Sequence, residues 1–207
     1  RQSLFPDNAY GVDSGGDPKH IPDLSFEQFK NFHQTYYHPA NARFFFYGDD
    51  DPAERLRLIQ AYLKDFQPIS VASTIPLQAR FDQPRQFTRT YAVDEEDTAG
   101  NKAFLTTNWL LTETLDPQII LGLNILAYIL VGTPASPLRK ALIDSGLGED
   151  ITGAGLENNL RQACFSTGLK GIALEKAAEV EALILESLSA LVEQGIDPDM
   201  VEAALNT

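Results

Sequence analysis

Cysteine and histidine are nearly absent from this chain. Cys164 stands alone, and the only histidines are His20, His33 and His38. A lone cysteine excludes an internal disulfide, and it excludes the zinc sites that need several thiolates. Basic residues are scarce too: 16 Lys and Arg against 29 Asp and Glu leave a net charge of −13. Binding to nucleic acid or to an anionic membrane needs clustered Lys and Arg, and no such run occurs. Long hydrophobic runs are also missing. The longest, 119–131, is interrupted by Gly122 and Asn124 and falls short of the ~20 residues of a membrane span. Neither a nucleic-acid nor a membrane partner is expected. What is present is globular in character: 207 residues, 43% hydrophobic and 22% charged, enough to bury a core.

Residues 1–24 are polar and punctuated by glycine and proline, which predicts irregular structure. Ser25 with Gln28 forms a capping-box pattern, and Phe26, Phe29, Phe32 and Tyr36 recur at helical spacing. Pro39 then ends the helix. The run ARFFFY (42–47) predicts a short strand of the fully buried kind. Asp51, Pro52 and Glu54 open a second helix, with Leu56, Ile59, Leu63 and Phe66 as its apolar stripe. Pro68, Pro76 and Pro84 mark 67–86 as an extended connector.

Beyond the connector, 87–93 predicts a strand and DEEDTAGN (94–101) an acidic loop, followed by a strand over 102–111. Asp116-Pro117 starts a long apolar helix ending near Gly132, and Ser136-Pro137 starts a shorter one. Strands are expected at 151–156 and 162–170 around an Asn158–Asn159 turn, then an amphipathic helix over 173–193. Asp197-Pro198 opens a last helix. This order predicts an α+β fold, an antiparallel sheet with helices packed on one face. Both ends of the chain read as lying within a longer protein.

No chemical site is convincing from residue types alone. His33 and His38 are five apart, so they diverge by about 140° around a helix, unlike a zinc-binding i, i+4 pair. His20 sits in a loop beside Pro22. Asp49, Asp50 and Asp51 lack the alternation and glycine of a calcium loop and read as helix-capping carboxylates. Gly15-Gly16-Asp17-Pro18 lacks the Lys–Ser/Thr pair of a phosphate loop, and Ser14 lacks a nucleophile-elbow frame. Gly153-Ala154-Gly155 suggests a bulge in a strand. Cys164, among apolar neighbours, reads as a buried, inert thiol. Catalytic and metal residues are therefore expected to be none, and substrate-binding residues stay unassigned.

The ordered strings say more. FPDNAYGVDSGGDPKH (5–20), IPDLSFEQFKNFHQTYYHPANARFFFYGDDDP (21–52), SPLRKALIDSGLG (136–148) and FSTGLKGI (165–172) together resemble the M16, pitrilysin-like metallopeptidases, specifically the presequence-protease subfamily. The resemblance covers essentially the whole chain. It implies an M16 peptidase-like module from a zinc endopeptidase whose α+β modules enclose a chamber for short unfolded peptides. There a metal-activated water attacks the peptide bond. The family's zinc ligands come from HxxEH and a downstream glutamate. No HxxEH occurs here, and the third ligand is placed ahead of the SGGDP loop.

The resemblance therefore implies no cofactor in this segment and zinc in the parent. Residues 1–66 would be the end of a first module, 67–86 the connector, and 87–207 a second module. Expected partners are peptide substrates and the remaining modules of the same chain. The alternative is a metal-free M16 homologue acting as a structural or peptide-binding subunit. A bacterial cytoplasm and an organelle lumen suit the resemblance equally.

Overall fold

One strand organises most of the molecule. β3 (Gln162–Ile172) lies between β1 (Ala103–Glu113) and β2 (Asp150–Glu157), antiparallel to both. The computed structural model describes residues 1–93 and 101–207, so the expected acidic loop falls, except for Asn101, outside the described residues. The chain forms two compact units: residues 1–11 with 77–207, and residues 12–76.

In the larger unit the sheet's period of two decides which side chains meet the helices. Phe165 and Leu169 of β3 point into a core with Leu130, Leu138, Leu142, Val180 and Ile184. Trp109 of β1 lies opposite Phe165, its ring 5.8 Å away. The helices of this layer are α3 (Pro117–Ala127), α4 (Pro137–Asp144) and α5 (Ala177–Gln194), followed by a short α6 (Pro198–Leu205). α3 starts as its sequence requires: Asp116 accepts hydrogen bonds from the amides of Gln118 (2.9 Å) and Ile119 (3.2 Å). A π-helical turn, Tyr128–Gly132, continues it. Ser136 Oγ then accepts from the Thr133 amide at 3.0 Å. It also reaches the Tyr128 carbonyl, 3.2 Å away.

The apolar stretch Pro117–Asp144 is long enough and apolar enough by composition to cross a membrane. It is nevertheless two helices broken at 133–136. Leu130, Leu138 and Leu142 are buried in the protein core, whereas α3 itself has no fully buried residue.

The opposite face of β3 presents Gln162, Cys164 and Ser166, and the chain's first residues pack there. Phe5 is fully buried and meets Tyr10 edge-on. Gln78 joins this layer: its side-chain amide donates to Asp7 at 2.6 Å, and its backbone amide to Gln162 at 2.6 Å. β3 is thus covered on both faces. On β2 the register slips between Thr152 and Gly155, with Gly153 at φ +101° and Gly155 at φ +66°. This is the bulge that the glycine pair suggested.

The smaller unit holds α1 (Phe26–Tyr36) and α2 (Pro52–Leu63). Both capping signals read in the sequence are formed. Ser25 and Gln28 complete the reciprocal box, and Asp51 accepts from the Ala53 amide at 2.9 Å.

Two expected strands do not form. Residues 42–47 and 87–93 belong to no ladder. A strand exists only through a neighbour, and the sheet of the described residues is β1-β3-β2. In consequence Phe45 is 88% exposed and Tyr47 98% exposed. Along 81–87 the side chains pair locally: the Arg85 guanidinium stacks on Phe81 and on Phe87, 4.9 Å from each ring centre.

Candidate functional site

Each of the three histidines has a neighbour of its own. His20 pairs with Asp23, Nδ1 to Oδ2 3.5 Å, on the surface. His33 stacks flat on Tyr37, with centroids 4.9 Å apart. His38 Nδ1 accepts from the Ala40 amide at 3.1 Å, and its ring meets Phe66 edge-on at 5.3 Å. Among the described residues no three His, Cys, Asp or Glu side chains come together as a metal-holding group. This donor set does not fit a zinc ion, which takes at least three protein ligands.

Two of the three aspartates, Asp50 and Asp51, serve the helix that follows them. Asp50 holds Arg55 through both carboxylate oxygens, and that guanidinium lowers its carboxyl below the usual carboxylate range. Asp51 caps α2. Arg55 also lies over the Phe46 ring, 4.7 Å from its centroid, so the cation is shared between a carboxylate and a π-face.

In the glycine loop the amides are satisfied locally. Asp13 accepts from the Gly15 amide at 2.8 Å, and Asp17 from the Lys19 amide at 2.9 Å. These donors face their own carboxylates, an arrangement that repels phosphate. Ser14 is exposed in the same loop.

Cys164 is buried in β3. Its Sγ lies 3.6 Å from Glu157 Oε2. Glu157 in turn pairs with Arg1 at 3.0 Å. Burial, with the Glu157 charge as a lesser cause, pushes the thiol up to about 11. A thiol held protonated is a poor nucleophile.

What sequence reasoning missed is a cleft in the smaller unit, about 520 Å³, walled by Tyr36, Tyr37, Phe44, Tyr62 and Phe66 among others. Helical spacing and the aromatic run were legible, but they pointed to buried core. The structure leaves those rings in an open hollow suited to contact with apolar groups. A smaller hollow of about 320 Å³ in the larger unit includes Tyr91, Phe104, Glu149 and Lys170.

Comparison with known proteins gives a consistent result. Residues 23–207 match the family model described as "Peptidase M16 inactive domain". The chain is 49% identical over 210 residues to presequence protease 1, chloroplastic/mitochondrial, of Arabidopsis thaliana, covering 100% of this chain and 19% of that protein. It is 38% identical to the mitochondrial presequence protease of Mus musculus, covering 100% of this chain and 20% of that protein. It is 36% identical to Protein HypA of Clostridium perfringens, covering 99% and 21%. The chain thus spans about a fifth of the length of these relatives. Among solved structures, a protease from Helicobacter pylori aligns with TM-score 0.64 at 18% identity, over 91% of this chain and 45% of that one. An M16-like peptidase from Alicyclobacillus acidocaldarius aligns with TM-score 0.58 at 17% identity, over 98% and 47%. At those identities the structures speak for the fold alone.

Proposed function

The chain belongs to the M16 peptidase family, and we propose that it is a non-catalytic segment of a zinc metalloendopeptidase, helping to wall a chamber where short unfolded peptides are degraded. The observation that carries this reading is the 49% identity, along the full chain, to one fifth of a presequence protease. The donor-poor chemistry of these residues agrees with it: they suit enclosure and contact rather than bond cleavage. Zinc and the groups that act with it belong, in this reading, to the rest of the parent. The partners are the remaining modules of the same chain and the peptide substrates.

The module boundaries follow the same proposal. Residues 1–66 end a first module, 67–86 connect, and 87–207 form a second. A division within the connector is supported by the compact unit that residues 12–76 form, while residues 1–11 group with 77–207. Phe26, Phe29, Phe32, Phe44, Phe45 and Tyr47 are each more than half exposed. A surface so apolar calls for cover by further polypeptide of its own module.

The reading is tested on the full-length parent. An unstructured peptide and a stably folded domain containing the same peptide sequence are offered at equal concentration. A chamber predicts cleavage of the free peptide at least about a hundredfold faster, because the folded domain cannot enter and its peptide bonds are not presented. Comparable rates would contradict enclosure.

A further inference from the structure

Helix α5 has two apolar faces. Its core face carries the buried Val180 and Ile184, with Leu188 and Leu191 packed beside them. Its other face looks to solvent. Ala178, Ala182, Leu185, Ser189 and Val192 are all exposed, Leu185 by 45% and Val192 by 85%. They recur alternately four and three residues apart, which is the spacing of a coiled-coil seam. At about 100° per residue they occupy a strip about 80° wide, roughly 130° around the helix from the core face.

The flanks of this strip carry only acidic side chains. Glu179, Glu186 and Glu193, spaced by seven, run along one side, and Glu181 stands on the other, all exposed. Glu179 already pairs with Lys176, just ahead of the helix, at 2.6 Å, so Glu181, Glu186 and Glu193 carry the selecting charge. No Lys or Arg occurs within the helix.

We propose that this face of α5 docks an amphipathic helix whose apolar seam is flanked by Lys or Arg. The small Ala178, Ala182 and Ser189 let a partner backbone approach closely, while Leu185 and Val192 supply the knobs. Charge selects the occupant. A second copy of this face would set glutamates against glutamates, and an anionic lipid surface would be repelled. A helix with Lys or Arg at the flanking positions places opposite charges across the seam. This surface belongs to the chain itself and does not depend on the chamber reading.

The test is a fluorescence-anisotropy titration of the full 207-residue chain against two labelled helical peptides. Both carry Leu along the seam; one has Lys and the other Glu at the flanking positions. The Lys peptide should bind about tenfold or more tighter than the Glu peptide, as two to four exposed ion pairs allow. That margin should shrink on raising the salt from about 20 to about 300 mM. The double variant Glu186→Gln/Glu193→Gln should lower affinity for the Lys peptide severalfold, and Leu185→Ser/Val192→Ser should remove it, with helix content unchanged by circular dichroism. These positions are exposed, so the variants leave the core intact. Equal affinity for the two peptides, no binding of either, or affinity undiminished in Leu185→Ser/Val192→Ser would overturn the proposal. So would concentration-dependent dimers that the same variant dissolves.

Discussion

Cys164 shows how a strand decides the chemistry of a side chain. Its neighbours take it out of water, and Glu157 adds a nearby negative charge, so the thiolate is disfavoured twice. The sign of the resulting pH effect follows directly. In the unfolded chain the thiol ionises near its ordinary value of 9.0, whereas in the fold it keeps its proton to about 11. The unfolded state therefore binds fewer protons between those values, and this residue's contribution to stability falls as pH rises through that window. Iodoacetamide labelling at pH 8 should be at least about tenfold slower in the folded chain than in urea, because reaction needs both exposure and thiolate. Fast labelling of the native chain would show Cys164 to be open and ionised. The histidines teach the same lesson. Their sequence positions argued against a metal pair, but only the structure shows what occupies them: a tyrosine face for His33, a backbone amide and the Phe66 ring for His38.

Among the secondary-structure elements, two glycines separate space from conformation. Gly168 sits in β3 where an added Cβ would lie 1.8 Å from the Leu105 carbonyl oxygen of the neighbouring strand. Gly122 lies in α3 with open space around it. Gly168→Ala should destabilise the chain by about 3 kcal/mol, since backbone has to move apart. Gly122→Ala should stabilise it by about 0.5–1 kcal/mol through helix propensity. Urea unfolding of both variants checks the pair, and a neutral Gly168→Ala would contradict the close strand approach. The elements also show what was legible. The starts at Ser25, Asp51, Asp116 and Asp197 were read from sequence because a cap is a local matter of a side chain and the next few amides. The strands expected at 42–47 and 87–93 were not found, because a ladder depends on a partner elsewhere, and an apolar hexapeptide names no partner. The same limit hid the aromatic cleft. Phe44 and Phe66 read as core, and whether a ring is covered depends on polypeptide that local pattern does not describe.

For the whole molecule, the α+β architecture was readable from element order. In the larger unit, helices lie on one face of an antiparallel sheet, and the N-terminal residues with Gln78 cover the other. Membership of the M16 family was readable from long ordered strings rather than from any chemical constellation. The histidines and Cys164 were legible as isolated residues, and the structure adds what each of them touches. The central claim is that this chain encloses and contacts, while metal chemistry belongs to the rest of its parent. The most direct measurement sets the isolated chain beside the full-length parent, with zinc quantified after dialysis and turnover of an unstructured fluorogenic peptide followed for both. The account predicts about one retained zinc and chelator-sensitive turnover for the parent, with neither for the isolated chain. Tightly held zinc together with metal-dependent turnover by the isolated chain would contradict it.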